Sequence, residues 1–455
     1  MSEVAITKKD FFTSRFGFII STAGSAIGLA NIWKFPYIVG KCGGGGFILI
    51  YIALLLLVGF PSFLSEILIG KSAKKTPAFA FKELGKNAIF QKAGSFTVWT
   101  GFFVSSFYSV VAGWILGYFF EAISGGLQNL HTISSAQSHY AHLVQNSYWA
   151  LLFHGLFQLI CLSFLIGGIK SGIERCNKIF MPLFFVILFA LMAFCTTLPQ
   201  AGDVVRFMTS VDFAKLPASC FILALGHAFF TLSCGQGTMA TYGSYLKPGQ
   251  KVLSSSLFIL LADTLVSLFA AFCILSIVFS AKMEIEFGPG LIFATLPTIF
   301  SQIPFGAAIS ALFFFLVFIA ALTSQVSALE PLISHLGSKY KISRRLATLI
   351  VSSSSFLVGI PSALSTNVLQ DIKFLGSNIL ECMNFATTSV LVPLGALAAV
   401  LLIGWKKSAQ NVFSDFQTEE KNSYPKSFFL FLLFAMRYSA PLLIIYIFLN
   451  AIGLL

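Results

Sequence analysis

Two apolar stretches of this 455-residue chain contain residue types that apolar helices normally exclude. In Ser21–Pro36, STAGSAIGLANIWKFP, four small residues (Gly24, Ser25, Ala26 and Gly28) precede Asn31, Lys34 and Pro36. In His227–Tyr242, HAFFTLSCGQGTMATY, the run Ser233, Cys234, Gly235, Gln236, Gly237 interrupts the apolar sequence. Glycine in a helix interior costs about 1 kcal/mol relative to alanine. In hydrocarbon a broken turn also leaves amides and carbonyls unpaired, at several kcal/mol each. Such breaks persist where the freed groups line a cavity or bind something; the plainer reading is close helix packing through small residues. Freed carbonyls suit a small hard cation, and freed amides suit an anionic group.

Other candidates are weaker. Glu66, in PSFLSEILIG, is a carboxylate inside an apolar run and therefore a functional candidate by default. His131, His139 and His142 share the polar stretch Gly125–Ser147, but no acidic or cysteine partner accompanies them, and a loop is expected there rather than a metal site. The eight cysteines form no CxxC pair and are expected to act as small buried hydrophobes. No HExxH, paired-aspartate motif or Ser–His constellation stands among the apolar runs, which argues against an enzyme.

The elements that must carry these residues follow from composition. Hydrophobic residues make up 57% of the chain and charged residues 10%, with 52 Phe. A soluble chain averages about 25% charged residues, so this one could not cover a water-facing surface. At ~20 apolar residues per membrane helix, eleven spans are expected, centred near residues 27, 56, 108, 157, 187, 230, 266, 319, 351, 390 and 440. The predicted class is an all-α polytopic membrane protein. Soluble enzymes, nucleic-acid binders and disulfide-stapled secreted domains are excluded.

The net charge of +12 reads as an orientation signal. With a cytoplasmic N-terminus, most of the 29 Lys and Arg fall on the inner side, in clusters such as Lys71–Lys92 and Lys339–Arg345. The outer side keeps Lys34, Lys41, Arg206, Lys215, Lys282 and Lys373. This positive-inside bias predicts a cytoplasmic N-terminus and an external C-terminus. No cleavable signal is visible, since the polar start MSEVAITKKDFF leads straight into a span.

Three connections stand out. Lys71–Lys92 mixes basic residues with Phe79, Phe81 and Leu84 and is either a short helix on the membrane surface or a solvated loop. The stretch starting at Met283 (MEIEFGPGLIFATLPTIFSQIP) is too punctuated to span and is expected to form a helical hairpin over the outer face. Ser408–Ser423 is expected to be a polar cytoplasmic linker.

The two interrupted spans, first and sixth, occupy matching places in two five-span halves, a pattern that points to a transporter's binding site. GSAIGLANIWKFP, the GGGGFILIYI that follows, FFTLSCGQGTMATYGSY, GPGLIFATLP and AALTSQVSALEP resemble the neurotransmitter:sodium symporter family. The likeness is to its bacterial amino-acid members with eleven spans, and runs from Arg15 to the end. It implies the leucine-transporter fold: inverted repeats at about residues 10–200 and 215–405, broken helices 1 and 6, and an additional helix at about 425–453.

The resemblance also implies ligands. Two sodium sites are expected. One takes the carbonyl of Ala26, the side chains of Asn31, Thr231 and Asp263, and the substrate carboxylate. The other takes the carbonyls of Gly24, Ile27 and Ala320 with the hydroxyls of Thr323 and Ser324, hydroxyls that otherwise bond back to their own helix. An α-carboxylate is expected near Ser25, Ala26 and Gly28, with Tyr108 donating to it. Thr231 and Gly237 complete the substrate set, and the side chain would lie among Ser25, Val104, Phe230, Ser233, Gln236, Ser324 and Ala328. Relatives that carry amines lacking a carboxylate resemble one another in an Asp where this chain has Gly28, so neutral α-amino acids are expected. Gln236 and Ala328 stand where the leucine transporter has Phe and Ile, which implies a roomier, more polar pocket.

Departures from the family pattern fall at the gates and the anion site. The outer Arg–Asp pair is matched by Lys34 and Asn384, with Glu381 one turn away as an alternative partner. At the inner side Lys9 stands for an Arg, Ser338 for an Asp and Phe12 for a Trp. The chloride-site residues Tyr51, Thr231 and Ser267 are kept, but His227 replaces a Gln and Asp263 an Asn. An ionised Asp263 supplies the charge that chloride provides, so transport is expected not to require chloride. Glu66 is expected to brace the amides of the first broken helix.

The sequence thus predicts a sodium-coupled symporter of neutral amino acids in a plasma membrane (the bacterial inner membrane), monomeric or weakly dimeric, with no nucleic-acid partner. A sodium- or substrate-sensing receptor that does not transport is the alternative.

Overall fold

The computed structural model describes residues 11–213, 216–281, 290–374, 376–420 and 423–454. Among these the chain is almost entirely helical, with a single isolated bridge, Phe374 to Ser377, outside the helices. Nine helices are long and apolar enough to cross a membrane: α3 (Gly45–Ala73), α5 (Ala88–Ser124), α7 (Ser147–Leu165), α8 (Ile169–Thr196), α12 (Leu253–Ser280), α14 (Gly306–Tyr340), α15 (Arg344–Ala363), α16 (Ile379–Trp405) and α18 (Lys426–Ala451). A tenth crossing is a bent pair, α1 (Arg15–Ala26) and α2 (Ala30–Lys41), which meet at 54°. An eleventh is divided into α10 (Ala218–Phe230) and α11 (Thr238–Ser244) by irregular backbone. These elements accord with the eleven expected centres.

The longest helix, α5, forms the centre of the scaffold. Asn87 caps it by accepting from Phe90 N, and Gly125, in the left-handed region at φ 84°, ends it. At about 1.5 Å per residue its 37 residues exceed the ~30 Å hydrocarbon thickness. Helix α14 packs along it, and α7 and α15 pack against both, while α11 lies in a groove of α3. Small residues permit these approaches. At Gly70 a Cβ would stand 1.8 Å from the Ala240 carbonyl, and at Gly113 one would stand 2.7 Å from His154 N.

The structure corrects three readings. Cys42 and Cys220 are not independent hydrophobes: they form a disulfide, with Cα atoms 5.9 Å apart and 178 residues between them in sequence. The other described cysteines are free, and all but Cys382 are buried. The polar stretch after Gly125 is not wholly loop, because α6 (Ile133–Gln145) starts there from a capping box of Thr132 and Ser135. The polar linker is α17 (Lys407–Glu420), which packs beneath the bundle through buried Phe413 and Phe416. An ion pair from Lys71 to Glu419 and a hydrogen bond from Leu253 N to Glu420 fix it there.

Lys71–Lys92 resolves to a helix, α4 (Pro77–Gly85), with Phe81 fully buried. Of the punctuated outer stretch, 282–289 lies outside the described residues; the remainder forms α13 (Leu291–Phe300). That helix lies against α5 and α6, where Tyr118 donates to the Phe293 carbonyl at 3.2 Å and Thr298 to the Thr132 carbonyl at 3.2 Å. A short outer helix, α9 (Ala201–Thr209), was not anticipated.

Candidate functional site

Helix α1 stops because Ile27 turns to ψ 104°, and helical backbone resumes only beyond Gly28. The second break is deeper. Between Phe230 and Thr238, Ser233, Gly235 and Gly237 take φ of 51°, 77° and 71°. Only glycine fits the middle position: a Cβ on Gly235 would lie 2.0 Å from the Val392 carbonyl oxygen. Ser233 joins the breaks by donating to the Ser25 carbonyl at 2.9 Å.

A buried polar cluster sits beside the breaks. Asn31 Nδ2 donates to Thr231 Oγ1 at 2.9 Å, Asp263 Oδ1 at 2.8 Å and Ser267 Oγ at 2.9 Å. Thr231 in turn donates to both Asp263 carboxylate oxygens at 2.9 Å. Asn31 Oδ1 accepts from Gly28 N at 2.9 Å. Three of the four oxygen donors expected at the first cation site therefore meet, with Ala26 at the adjoining end of α1. A cation there requires Asn31 to turn its oxygen, not its NH2, towards Asp263.

At the second expected site, the Ser324 hydroxyl stands 3.4 Å from the Gly24 carbonyl and 3.2 Å from the Ile27 carbonyl. Thr323 hydrogen-bonds within its own helix, to the Ile319 carbonyl at 3.1 Å and the Ala320 carbonyl at 3.3 Å. Of that pair, only Ser324 reaches the broken helix in this arrangement.

A tight cavity of about 40 Å³ lies between the breaks. Ser25, Ala26, Gly28, Val104, Tyr108, Phe230, Ser233, Gln236, Ser324 and Ala328 all border it. Thr231 and Gly237 do not: Thr231 belongs to the Asn31 cluster, and Gly237 leads into α11. Leu29, Ala30 and Gln325 also line it and were missed. Gln325 had a signal, an amide in an apolar helix beside Ser324; Leu29 and Ala30 had none. A Cβ on Gly28 would stand 2.9 Å from Ser324 Oγ and 3.5 Å from the Tyr108 hydroxyl. That hydroxyl is buried, beside the Leu29 backbone and Ser324, and makes no regular hydrogen bond among the described residues. Gly28 thus keeps open the space that Tyr108 faces.

The remaining expected residues are dispersed. Tyr51 and His227 are in contact, ring centroids 5.3 Å apart, and Phe35 covers both. Among the described residues neither His227 nitrogen makes a hydrogen bond, and the Tyr51 hydroxyl, beside Ser267 and Thr231, makes no regular one. Lys34 lies over the Phe230 ring at 5.8 Å and forms no ion pair among the described residues. Asn384 is exposed, and Glu381 is engaged with Asn378 in the cap of α16. Lys9 lies outside the described residues. Ser338 is half-buried near the end of α14, and Phe12 packs edge-on to Phe18, Tyr242 and Tyr245.

Glu66 needs correction. It accepts from Gly235 N, so it braces the second break and not the first. Two further contacts were also missed. Buried Glu330 receives both arms of Arg344, at 2.8 and 2.5 Å, and the Tyr245 hydroxyl at 2.7 Å. Glu174 accepts from Thr13 N at 2.8 Å and pairs with Lys178 at 2.6 Å, while Lys247 donates to the Thr13 carbonyl at 2.6 Å. The signal was available: a carboxylate in an otherwise apolar span demands a partner. The external histidines form no metal cluster; among the described residues no group of three metal-ligating side chains occurs.

Comparison with known proteins gives a consistent result. The model of the Sodium:neurotransmitter symporter family matches residues 9–142 and 144–454. An uncharacterized sodium-dependent transporter of Bacillus subtilis, YhdH, is 35% identical over 98% of both chains. One from Haemophilus influenzae is 30% identical over 97% of this chain and 98% of its own. The sodium-dependent dopamine transporter of Bos taurus is 25% identical over 77% of this chain and 58% of its own. The crystal structure of MhsT in complex with L-phenylalanine superposes at a TM-score of 0.87, with 35% identity, covering 97% of this chain and 99% of that one.

Proposed function

Because this chain belongs to the sodium:neurotransmitter symporter family, a family of membrane transporters and not of enzymes, we propose that it moves neutral α-amino acids across the plasma membrane with sodium. The observation that carries this reading is the bare Gly28, which leaves the Tyr108 hydroxyl facing the space between two broken helices. A substrate carboxylate fits that space, where a side chain at position 28 would not leave room for it. The freed amides of the break favour the negative charge, and a bound sodium would take one of its oxygens.

Sodium is cargo here, and two ions are proposed. The first would sit among the Ala26 carbonyl, Asn31, Thr231 and Asp263 once the Asn31 amide has turned. The second would sit among the Gly24, Ile27 and Ala320 carbonyls with Thr323 and Ser324. For sodium to drive uptake it must bind one conformation better than the other. Turning the Asn31 amide would break its bond with Gly28 N, which would couple the cation to the shape of the first break. Asp263 brings a negative charge next to Thr231 and Ser267, so the cycle is proposed to run without chloride.

The two halves, about residues 10–200 and 215–405, are proposed to be inverted repeats that rock against each other. The N-terminus is placed in the cytoplasm by the lysine bias. The Cys42–Cys220 disulfide supports this, because it lies on the lysine-poor face and disulfides persist in oxidising space.

Purified protein in liposomes should accumulate labelled neutral amino acid when sodium is outside, and not when potassium replaces it. Binding without accumulation would favour the sensing receptor. Absence of sodium-dependent binding for all twenty amino acids would overturn the reading.

A further inference from the structure

Behind the cavity, four helices contribute amides and carbonyls that fix one another's orientation. Gln158 on α7 donates its NH2 to the Ser352 carbonyl of α15 at 3.1 Å. Its oxygen is thereby turned to Gln325 of α14, whose NH2 lies 3.4 Å away. The same Gln325 NH2 donates to the Ser105 carbonyl of α5 at 3.1 Å. A backbone carbonyl cannot donate, so the direction of the whole chain is set from its outer end. Both donors of Gln325 are engaged, and its Oε1 is left fully buried without a partner among the described residues, on a residue that borders the cavity.

A buried unpaired acceptor is costly, about 1–3 kcal/mol, and it selects the ligand that satisfies it. We infer that Gln325 is a specificity-determining residue that accepts a hydrogen bond from the substrate's side chain. The preferred amino acids are then those whose side chain carries a hydroxyl or N–H donor, over apolar ones of the same shape. Gln158 acts as a positioning residue: it never meets the substrate but stops the Gln325 amide from turning its NH2 inward. This inference rests on the amino-acid reading above and deepens it.

The test compares matched pairs on the intact protein in sodium-containing buffer: threonine with valine, tyrosine with phenylalanine, glutamine with methionine. Competition against a labelled amino acid that the protein binds gives an affinity ratio for each pair. The donor member should win by about tenfold or more, as expected where a site leaves a polar group unpaired against the wrong ligand. In Gln325→Met the ratio should fall to near one, with the apolar member gaining in absolute affinity. In Gln158→Leu it should fall partway, which a merely structural role for Gln158 would not produce, since general damage lowers both members alike. If Gln325→Met does not fold, Gln158→Leu and the wild-type ratios still decide.

Sodium-dependent binding with equal ratios, or with apolar members preferred, overturns this inference and leaves the amino-acid reading standing. No sodium-dependent binding of any member overturns both.

Discussion

A methyl group on Gly28 would press on Ser324 Oγ and crowd the Tyr108 hydroxyl, so Gly28→Ala should cut sodium-dependent amino-acid uptake at least about tenfold while leaving the protein folded, as judged by an unchanged elution profile. A serine oxygen can rotate away from a methyl, but the volume left for a carboxylate cannot be recovered. At Asp263 the expected effect is on ion requirement. Asp263→Asn removes the fixed charge from the Asn31–Thr231 cluster, and uptake should become dependent on chloride; replacing chloride by gluconate measures it. Part of this scale was legible in the sequence: Gly28 and Asn31 stand out at membrane depth, while Tyr108 and Asp263 came only from the family resemblance. What stayed hidden depended on direction. Nothing in the letters says which way the Asn31 amide faces, or that Glu66 reaches Gly235 and not the first helix. Both follow from which neighbour offers a free donor.

The elements were legible where hydrophobicity alone decides them, and less so where amphipathic packing does. The spans follow from runs of apolar residues too long for anything else. Helices α6 and α17 escaped because their polar faces dominate their composition; the cap of Thr132 and the buried Phe413 and Phe416 make them helices. The two breaks were visible as glycine runs, yet their shapes were not. The second break holds three residues in the left-handed region, and at Gly235 both the φ of 77° and the Val392 carbonyl exclude a side chain. Gly235→Ala should therefore abolish recovery of folded protein. Gly237→Ala should only lower the melting temperature, since its nearest neighbour is the Thr97 hydroxyl at 3.1 Å. Equal yields of the two variants on size-exclusion chromatography would contradict this.

Across the whole molecule, one end of the bundle is fastened by charges that composition could not pair. Glu330 is fully buried, and Arg344 is its ionic partner. Removing one member of a buried pair typically costs about 3–5 kcal/mol. Arg344→Ala should accordingly lower the melting temperature in detergent markedly, whereas Glu330→Gln with Arg344→Gln together should recover part of the loss. The gate positions expected by resemblance, Lys34 and Asn384, are not joined among the described residues, whereas Glu330, the glutamate of the AALTSQVSALEP motif, is tied to Arg344.

The Cys42–Cys220 bond has a mechanical corollary. Cys42 directly follows α2 and Cys220 lies in the first turn of α10, so a covalent ring handcuffs one half of each interrupted helix to the other. Whatever parts to admit cargo, the bond requires those two halves to travel as one piece, so any seam that opens runs elsewhere than between them. Double spin labels across the ring should hold one distance through the cycle, while labels spanning the seam should report two.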